Sequence, residues 1–193
     1  RFYIHDAVYD RFVSQLAEEV KKLKVGNGVE EGVVVGPLIE ASAVDKVEEH
    51  VKDAKAKGGR IVTGGERHAL GGNFWQPTVI ADAHEAMKLA QEETFGPVAA
   101  CFRFSDEQEV IRRANDTEFG LAAYFYTQNL QRVFRVSAAL ESGMIGINEC
   151  AVSTELAPFG GVKESGLGRE GSVLGLKEYL EVKTLHIGGL SES

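Results

Sequence analysis

Two short segments of this 193-residue sequence hold residue types that could do chemistry together. In the first, residues 92–97 (EETFGP), two acids run into an aromatic residue and a Gly-Pro pair. On an extended segment, Glu93 and Phe95 would point to the same side, because successive side chains alternate. The carboxylate could accept hydrogen bonds from sugar hydroxyls while the ring supplies a flat apolar wall. From the residues alone, a helix ending in acids, then a turn and a core phenylalanine, is the simpler interpretation.

The second segment, residues 157–161 (APFGG), places an aromatic residue ahead of two glycines. Residues 92–97, 115–122 (NDTEFGLA) and 158–166 (PFGGVKESG) are three motifs whose order and spacing resemble the aldehyde dehydrogenase superfamily. The similarity runs from Arg1 to about Leu190. It corresponds to the C-terminal part of such an enzyme, so we expect the family's dinucleotide-binding domain to be absent from this chain.

The resemblance implies a mechanism for the parent enzyme. In this family a cysteine thiolate attacks the aldehyde, the thiohemiacetal passes hydride to a nicotinamide, and water hydrolyses the thioester. The resemblance puts the nucleophile just before Arg1, and the glutamate base and oxyanion-hole asparagine further upstream. We therefore expect no catalytic residue in this chain, no NAD or NADP bound to it alone, and no activity from it alone.

The resemblance also assigns binding roles to four residues. Glu93 would accept hydrogen bonds from the nicotinamide ribose, and Phe95 would pack against the nicotinamide end of NAD or NADP. Phe159 would line the aldehyde pocket and exclude water. The loop 148–157 (NECAVSTELA), together with residues 121–126 and 166–171, is most similar to succinate-semialdehyde dehydrogenases. In that group the serine matching Ser153 helps hold the substrate's distal carboxylate. A hydroxyl suits that role because a charge-assisted hydrogen bond is stronger than a neutral one.

Several alternatives stay open. Ser153 could instead be a loop-capping hydroxyl, or Thr154 could take its role after a one-residue slip in the loop. The parent enzyme could oxidise another ω-oxo acid, such as glutarate semialdehyde, because part of the substrate site lies upstream. A stand-alone, non-catalytic binding or assembly module is the alternative outside enzymes. The choice between NAD and NADP depends on ribose-binding residues of the upstream domain.

Composition limits the class of protein. The chain is long enough for a real core, with 44% hydrophobic and 26% charged residues. A net charge of -8 argues against nucleic acid or an anionic membrane as a partner. Two cysteines cannot form a disulfide framework, so we expect a reducing compartment, the cytoplasm or the mitochondrial matrix. The start at Arg1, without Met and within a strand-like run, suggests a fragment.

Strand-like and helix-like segments alternate along the chain. We predict an α/β fold: a three-layer catalytic domain with a mainly parallel sheet over residues 1–178. Asp6 and Ser105 are predicted to cap helices. The apolar face of the first helix is predicted to be Val8, Phe12, Leu16, Val20 and Leu23, and that of the helix after Ser105 to be Val110, Ile111 and Ala114. A further helix carries the apolar stripe Val44, Val47, Val51 and Ala54. Residues 74–80 are predicted to be extended, and residues 99–104 and 144–147 are predicted strands. Residues 180–187 (LEVKTLHI) predict a strand within a terminal segment, 179–193. By resemblance this segment is an oligomerisation strand, and we expect a dimer or tetramer; pairing within its own chain is the alternative.

Other site types find little support. Residues 166–171 (GLGREG) match the dinucleotide fingerprint, but a glycine-rich loop precedes them where the fingerprint needs a strand. The five histidines have no ligand spacing among themselves or with cysteine, so we predict no metal site. Neither Cys101 nor Cys150 matches a catalytic position. Cys101 is predicted to be a buried small hydrophobe, and Cys150 is the nearer of the two to the substrate loop.

Overall fold

The computed structural model describes residues 1–189 of the chain. The chain divides into two compact units, Arg1–Val110 and Ile111–Ser193. Among the described residues, no helix combines the length and the apolar character that crossing a membrane requires. Residues 190–193, which end the predicted terminal segment 179–193, lie outside the described residues.

The first unit is built around a four-stranded sheet. Its elements are, in chain order, β1 (Phe2–His5), a 3-10 turn (Asp6–Val8), α1 (Tyr9–Lys21), α2 (Ala41–Ala56), β2 (Arg60–Thr63), β3 (Thr78–Ala83), α3 (Lys88–Gln91) and β4 (Val98–Phe104). The strand order is β1-β4-β3-β2, with β1 and β3 parallel to β4 and β2 antiparallel to β3. A further helix, α4 (Glu107–Asn115), crosses the boundary between the units.

Helices cover the two faces of this sheet. Side chains alternate along a strand, and Val79 and Cys101 accordingly belong to one apolar cluster while Ile80 and Phe102 belong to another. Helix α1 packs on the first cluster. Helix α2 packs on the second through the predicted stripe Val44, Val47, Val51 and Ala54, all of it buried. The first unit is therefore a helix–sheet–helix sandwich, as the three-layer prediction requires.

The predicted face and cap of the first helix are wrong in detail. Of the predicted apolar face, Leu16 and Val20 are partly buried and pack against the cluster that contains Val79 and Cys101. Val8, Phe12 and Leu23 are exposed, and the fully buried residues of the helix are Tyr9, Val13 and Ala17. Tyr9 can be buried because its hydroxyl donates to the Cys101 carbonyl and accepts from the Asp82 N–H. The capping group at the preceding turn is His5, whose Nδ1 accepts from the Ala7 N–H, and not Asp6.

The cap of the third predicted helix is also displaced. Asp106, not Ser105, accepts from the Glu109 N–H at the start of α4. Both aspartate and serine are good N-cap residues, so a one-residue shift is not resolved by residue type. The predicted buried face of α4 is observed at Ile111, with Val110 and Ala114 half-buried.

The second unit contains two small sheets. Its elements are β5 (Phe119–Gly120), β6 (Ala122–Phe125), α5 (Leu130–Ala139), β7 (Met144–Ile147), β8 (Val162–Lys163) and α6 (Ser172–Lys177). Strands β6 and β7 are parallel and α5 connects them, whereas β5 and β8 are antiparallel. Helix α5 begins where the Asn129 side chain accepts from the Arg132 N–H.

The α/β prediction is confirmed, and the sheet is mixed rather than purely parallel. The strand predicted over residues 180–187 is not observed, because those residues carry no strand assignment within the described chain. A strand exists only through a neighbour that accepts and donates its hydrogen bonds, and this segment has no such neighbour among residues 1–189. Pairing within residues 1–189 is thus not what the structure shows, and pairing with another subunit stays a prediction.

Candidate functional site

The segment that carries Glu93 and Phe95 connects α3 to β4 and is not a strand. Phe95 lies in the left-handed region, with φ at 50°, so the alternation argument for an extended segment does not apply to it. Its side chain is 80% exposed, and Glu93 is exposed as well. The simpler interpretation of Phe95 as a core residue is therefore wrong.

A buried histidine anchors this segment. His50 of α2 is 1% exposed, and its Nδ1 lies 3.0 Å from the Thr94 hydroxyl. Its Nε2 lies 3.4 Å from a carboxylate oxygen of Glu92. The two side chains that His50 contacts are the immediate neighbours of Glu93. The Glu93 carboxylate itself makes no hydrogen bond or ion pair with any described residue.

Close packing fixes the end of the same segment. A Cβ atom on Gly96 would lie 2.5 Å from Cγ2 of Val47, so only glycine lets the backbone approach α2 this closely. The neighbouring Pro97 carbonyl accepts from the Thr78 N–H at 2.8 Å, which ties the segment to β3. Both ends and the centre of residues 92–97 are thus restrained, while the side chains of Glu93 and Phe95 stay exposed.

In the second unit, the loop that begins after β7 starts with an asparagine in the left-handed region. Asn148 has φ at 54°, and its side-chain amide accepts from the Thr127 N–H and donates to the Thr127 carbonyl, each at 2.8 Å. The next residue, Glu149, accepts from the backbone N–H groups of Cys150 and Ala151. These bonds favour the ionised carboxylate and lower the pKa of Glu149. The loop therefore leaves the sheet in a defined direction.

The hydroxyl that caps this loop belongs to Thr154. Its oxygen accepts from the Leu156 N–H at 3.4 Å, and its carbonyl accepts from the Ala157 N–H. Ser153 is exposed, and within the described part of the chain its hydroxyl has no hydrogen-bond partner. The loop-capping role considered for Ser153 is therefore not observed, because Thr154 caps the loop instead.

Phe159 is half-buried and has a fixed backbone. Its N–H and carbonyl both pair with Glu170, which follows the glycine-rich residues 166–168. Nη1 of Arg169 donates to the carbonyls of Gly161 and Gly168, at 2.8 and 2.6 Å. A Cβ on Gly160 would lie 2.8 Å from the Gly168 carbonyl oxygen. A Cβ on Gly171, the last glycine of residues 166–171, would likewise lie 2.9 Å from the Ala157 carbonyl oxygen, so Gly160 and Gly171 let backbone segments approach closely.

That packing agrees with the rejection of residues 166–171 as a dinucleotide fingerprint. The preceding strand, β8, has two residues, the following helix, α6, has six, and no strand is assigned between α6 and residue 189. The required strand–helix–strand unit is not present there. Groups of three or more potential metal ligands are also not found in the described range 1–189.

The two cysteines differ in environment. Cys101 is fully buried in β4, as predicted, and this burial raises the pKa of its thiol to about 11. Cys150 is exposed in the loop after β7. A thiol held protonated inside a strand cannot act as a nucleophile at neutral pH, so Cys101 is structural.

The predicted site residues fall into two pairs. Glu93 and Phe95 belong to the first unit, and Ser153 and Phe159 belong to the second. Sequence reasoning missed the residues that support each pair, namely His50, Thr94, Asn148 and Arg169. A signal for His50 was available: it follows Val47 by three residues on the buried stripe of α2, where an unpaired imidazole would be costly.

Comparison with known proteins gives this geometry a context. A family model described as the aldehyde dehydrogenase family matches residues 1–185. A succinate-semialdehyde dehydrogenase of Escherichia coli, whose name specifies NADP(+), is 57% identical over 97% of this chain and 39% of its own length. A glutarate-semialdehyde dehydrogenase of Pseudomonas aeruginosa is also 57% identical, over 98% of this chain and 39% of its own length.

A third relative, a 3-sulfolactaldehyde dehydrogenase of Pseudomonas putida, is 56% identical over 98% of this chain and 39% of its own length. Among solved structures, a succinate-semialdehyde dehydrogenase from Burkholderia pseudomallei matches with a TM-score of 0.91 and 57% identity, covering 93% of this chain and 37% of that one. The chain therefore spans about two fifths of the length of these relatives. Over that span, its sequence and its fold show that the chain belongs to the aldehyde dehydrogenase family.

Proposed function

We propose that this chain is the C-terminal part of an NAD(P)-dependent succinate-semialdehyde dehydrogenase, which oxidises succinate semialdehyde to succinate through a cysteine upstream of Arg1. The observation that carries the proposal is the state of Glu93. Its carboxylate has no partner among the described residues, although both neighbouring side chains are held by His50. An exposed acceptor on a restrained segment is preorganised for a ligand with hydroxyl donors.

The residues of the first unit fit a dinucleotide. The Glu93 carboxylate can accept two hydrogen bonds from the hydroxyls of a ribose, and the exposed Phe95 ring offers an apolar surface to the nicotinamide end. When bound, the nicotinamide would accept the hydride from the aldehyde carbon. Residues of the upstream domain would discriminate between NAD and NADP. Because the name of the E. coli relative specifies NADP, NADP is the first cofactor to assay.

The residues of the second unit fit an aldehyde with an anion at its far end. Ser153 offers a hydroxyl that no described residue uses, on a loop fixed by Asn148 and Glu149. Phe159 supplies an apolar wall for the aliphatic stem. The names of the three relatives describe aldehydes that carry a carboxylate or a sulfonate, and this shared chemistry supports an anion-binding role for Ser153.

Glutarate semialdehyde is the second candidate substrate. The observation that favours it is the equal identity, 57%, of the relatives named for succinate semialdehyde and for glutarate semialdehyde. The two substrates differ by one methylene, and a hydrophobic pocket discriminates one methylene by only about 10- to 200-fold. We rank succinate semialdehyde first because the loop 148–157 resembles that group.

The experiment uses the full-length natural protein that contains this chain. Its N-terminal sequence and intact mass establish whether a cysteine precedes Arg1. Steady-state kinetics with NADP and NAD then compare succinate semialdehyde, glutarate semialdehyde and butanal, the last having the same carbon count as the first but no anion. We expect kcat/KM for succinate semialdehyde to be the highest, and at least about tenfold above butanal, the effect of one hydrogen bond to a charged group.

A matched pair of variants tests the role of the loop. Ser153→Ala should raise KM for succinate semialdehyde and leave KM for butanal unchanged, whereas Thr154→Val, which removes the capping hydroxyl, should affect both aldehydes alike. A natural protein that begins at Arg1, or one that oxidises none of these aldehydes, would overturn the enzyme proposal in favour of a binding or assembly module. We further propose a homo-oligomer located in the cytoplasm or the mitochondrial matrix.

A further inference from the structure

Outside the predicted site residues, a polar histidine side chain lies on the buried apolar face of α2. His50 sits on the buried stripe of α2, between Val47 and Val51, and is 1% exposed. An imidazole removed from water is destabilising unless its polar atoms find partners. Both ring nitrogens do find partners, and both partners lie in residues 92–95.

The partners determine which ring nitrogen donates. The ionised carboxylate of Glu92 can only accept, so Nε2 of a neutral ring carries the proton toward it. Nδ1 then accepts from the Thr94 hydroxyl, at 3.0 Å. The contact to Glu92, at 3.4 Å, is the longer of the two. His50 therefore joins α2 to the residues on both sides of Glu93.

The segment needs such an anchor because its backbone is strained. Phe95, directly after Thr94, has φ at 50°, which an aromatic residue adopts only when its surroundings enforce it. The Glu92 N–H bonds the Lys88 carbonyl, and the Val98 N–H bonds the Gly96 carbonyl. Among the described residues, His50 is the one whose hydrogen bonds reach the side chains of this segment.

We propose that His50 is a positioning residue for dinucleotide binding: through Thr94 and Glu92 it holds the segment so that Glu93 and Phe95 face the ribose and the nicotinamide. This inference rests on the proposed function and deepens it. His50 does not touch the ligand. Its effect is on the affinity for the dinucleotide rather than on the binding of the aldehyde.

The test measures dinucleotide affinity in the full-length protein. NADPH and NADH are titrated by fluorescence against wild type, His50→Leu, Thr94→Val and Thr94→Ser. Thr94→Val keeps the shape of the side chain and removes only the hydroxyl. We expect Thr94→Val to weaken binding about tenfold, the change expected from one lost buried hydrogen bond, with Thr94→Ser close to wild type. His50→Leu removes the contacts to both Thr94 and Glu92 and should weaken binding at least as much.

Two further measurements separate positioning from a general structural role. The double variant His50→Leu/Thr94→Val should bind no more weakly than His50→Leu alone, because His50→Leu already removes the bond to Thr94. KM for the aldehyde at saturating dinucleotide should change much less than the dinucleotide affinity. His84→Leu is the matched control, since His84 bonds the Lys57 carbonyl and has no contact with residues 92–95.

The outcomes are distinct. Unchanged NADPH and NADH affinity in folded Thr94→Val, or binding by Thr94→Ser as weak as by Thr94→Val, overturns the positioning role. Thr94→Val also keeps the test decisive if His50→Leu does not fold. Glu93→Gln is titrated in parallel. If it weakens binding while the Thr94 variants do not, only this inference falls; if it binds normally, the cofactor role of Glu93 falls as well.

Discussion

The backbones of Phe159 and Glu170 are hydrogen-bonded in both directions: the Phe159 N–H donates to the Glu170 carbonyl at 2.9 Å, and the Glu170 N–H donates back at 2.8 Å. This pairing places the proposed aldehyde-pocket residue against the segment that follows the glycine-rich residues 166–168. A ring that excludes water from a reaction must be held still, and the Phe159 ring is attached to a backbone with little freedom.

The first prediction concerns Arg169, which supports the same pairing. Its Nη1 donates to the Gly161 and Gly168 carbonyls. In the full-length protein, Arg169→Met keeps the aliphatic stem and removes both bonds. We expect KM for succinate semialdehyde to rise about tenfold, the equivalent of one lost charge-assisted hydrogen bond, while the affinity for NADPH stays unchanged.

Lys177→Met is the control for Arg169→Met, because it removes an exposed charge in the same unit without touching the loop. Equal KM values for wild type and Arg169→Met would show that the loop keeps its position without the guanidinium. A parallel loss of NADPH affinity would show that the effect is a general loss of structure rather than a local one.

The second prediction concerns the contact between Gly96 and Val47. A Cβ at position 96 would lie 2.5 Å from Cγ2 of Val47, so Gly96→Ala should lower the free energy of unfolding by about 1–3 kcal/mol through overpacking. Val47→Ala alone should cost about 2 kcal/mol by leaving a cavity in the buried face of α2. The double variant should cost less than the sum, because the added methyl group enters the space that the valine vacates.

Urea denaturation of the three variants measures this coupling. The Gly28→Ala variant is a suitable control, because a Cβ at position 28 meets nothing within 4 Å. Strictly additive free energies for Gly96→Ala and Val47→Ala would mean that the segment moves away from α2 instead of competing with Val47 for space.

Sequence patterns predicted the parts of this fold that depend on periodicity. The stripe from Val44 to Ala54 identified α2, the aromatic-rich residues 99–104 identified β4, and residues 144–147 were predicted as β7 is observed. The segment predicted to be extended, residues 74–80, overlaps β3 only at residues 78–80. Helix caps were less predictable: Asp106 and Ser105 are both good caps, and only the backbone geometry selects one. The rotated face of α1 has a similar origin, because the hydroxyl of Tyr9 finds two backbone partners that no local pattern contains.

In the candidate site, too, some residues could be predicted from the sequence and others only from the structure. Glu93, Phe95, Ser153 and Phe159 came from motifs, whereas the residues that restrain them came from the structure. His50 lies 44 residues before its partner Thr94, and a contact over that distance in sequence leaves no periodic signal. The positive φ of Phe95 was also unpredictable, because aromatic residues adopt it only under restraints of this kind.

The third prediction concerns the buried thiol of Cys101. Burial raises its pKa to about 11, from an ordinary value of 9.0, so the folded state binds the proton more tightly than the unfolded state. The resulting stabilisation is complete below pH 9 and is lost as the pH rises from 9 towards 11. Cys101→Ala has no thiol to ionise, so its stability relative to wild type should improve over that range.

Chemical denaturation of both proteins at pH 8 and pH 10.5 tests the Cys101 prediction, because other titrating groups are shared and cancel in the difference. A difference in free energy of unfolding that does not change with pH would contradict it. Alkylation followed by peptide mass mapping gives a second measurement: the exposed Cys150 should react in the native protein, and Cys101 should react only after unfolding.

The fourth prediction concerns the terminal segment. Leu180, Val182, Leu185 and Ile187 are each at least 68% exposed, and residues 180–187 form no strand within the chain. Apart from the Leu180 N–H, the backbone groups of residues 180–187 form no hydrogen bond with another described residue, and apolar side chains on such a segment favour pairing with another subunit. Removal of residues 180–193 from the full-length protein should therefore lower the mass of the oligomer measured by light scattering. Leu185→Asp should act in the same direction, because it buries a charge wherever the segment pairs, whereas Glu181→Gln should have little effect.

An unchanged oligomer after truncation, with the fold intact by circular dichroism, would mean that the subunits associate through another surface and that this segment stays solvated.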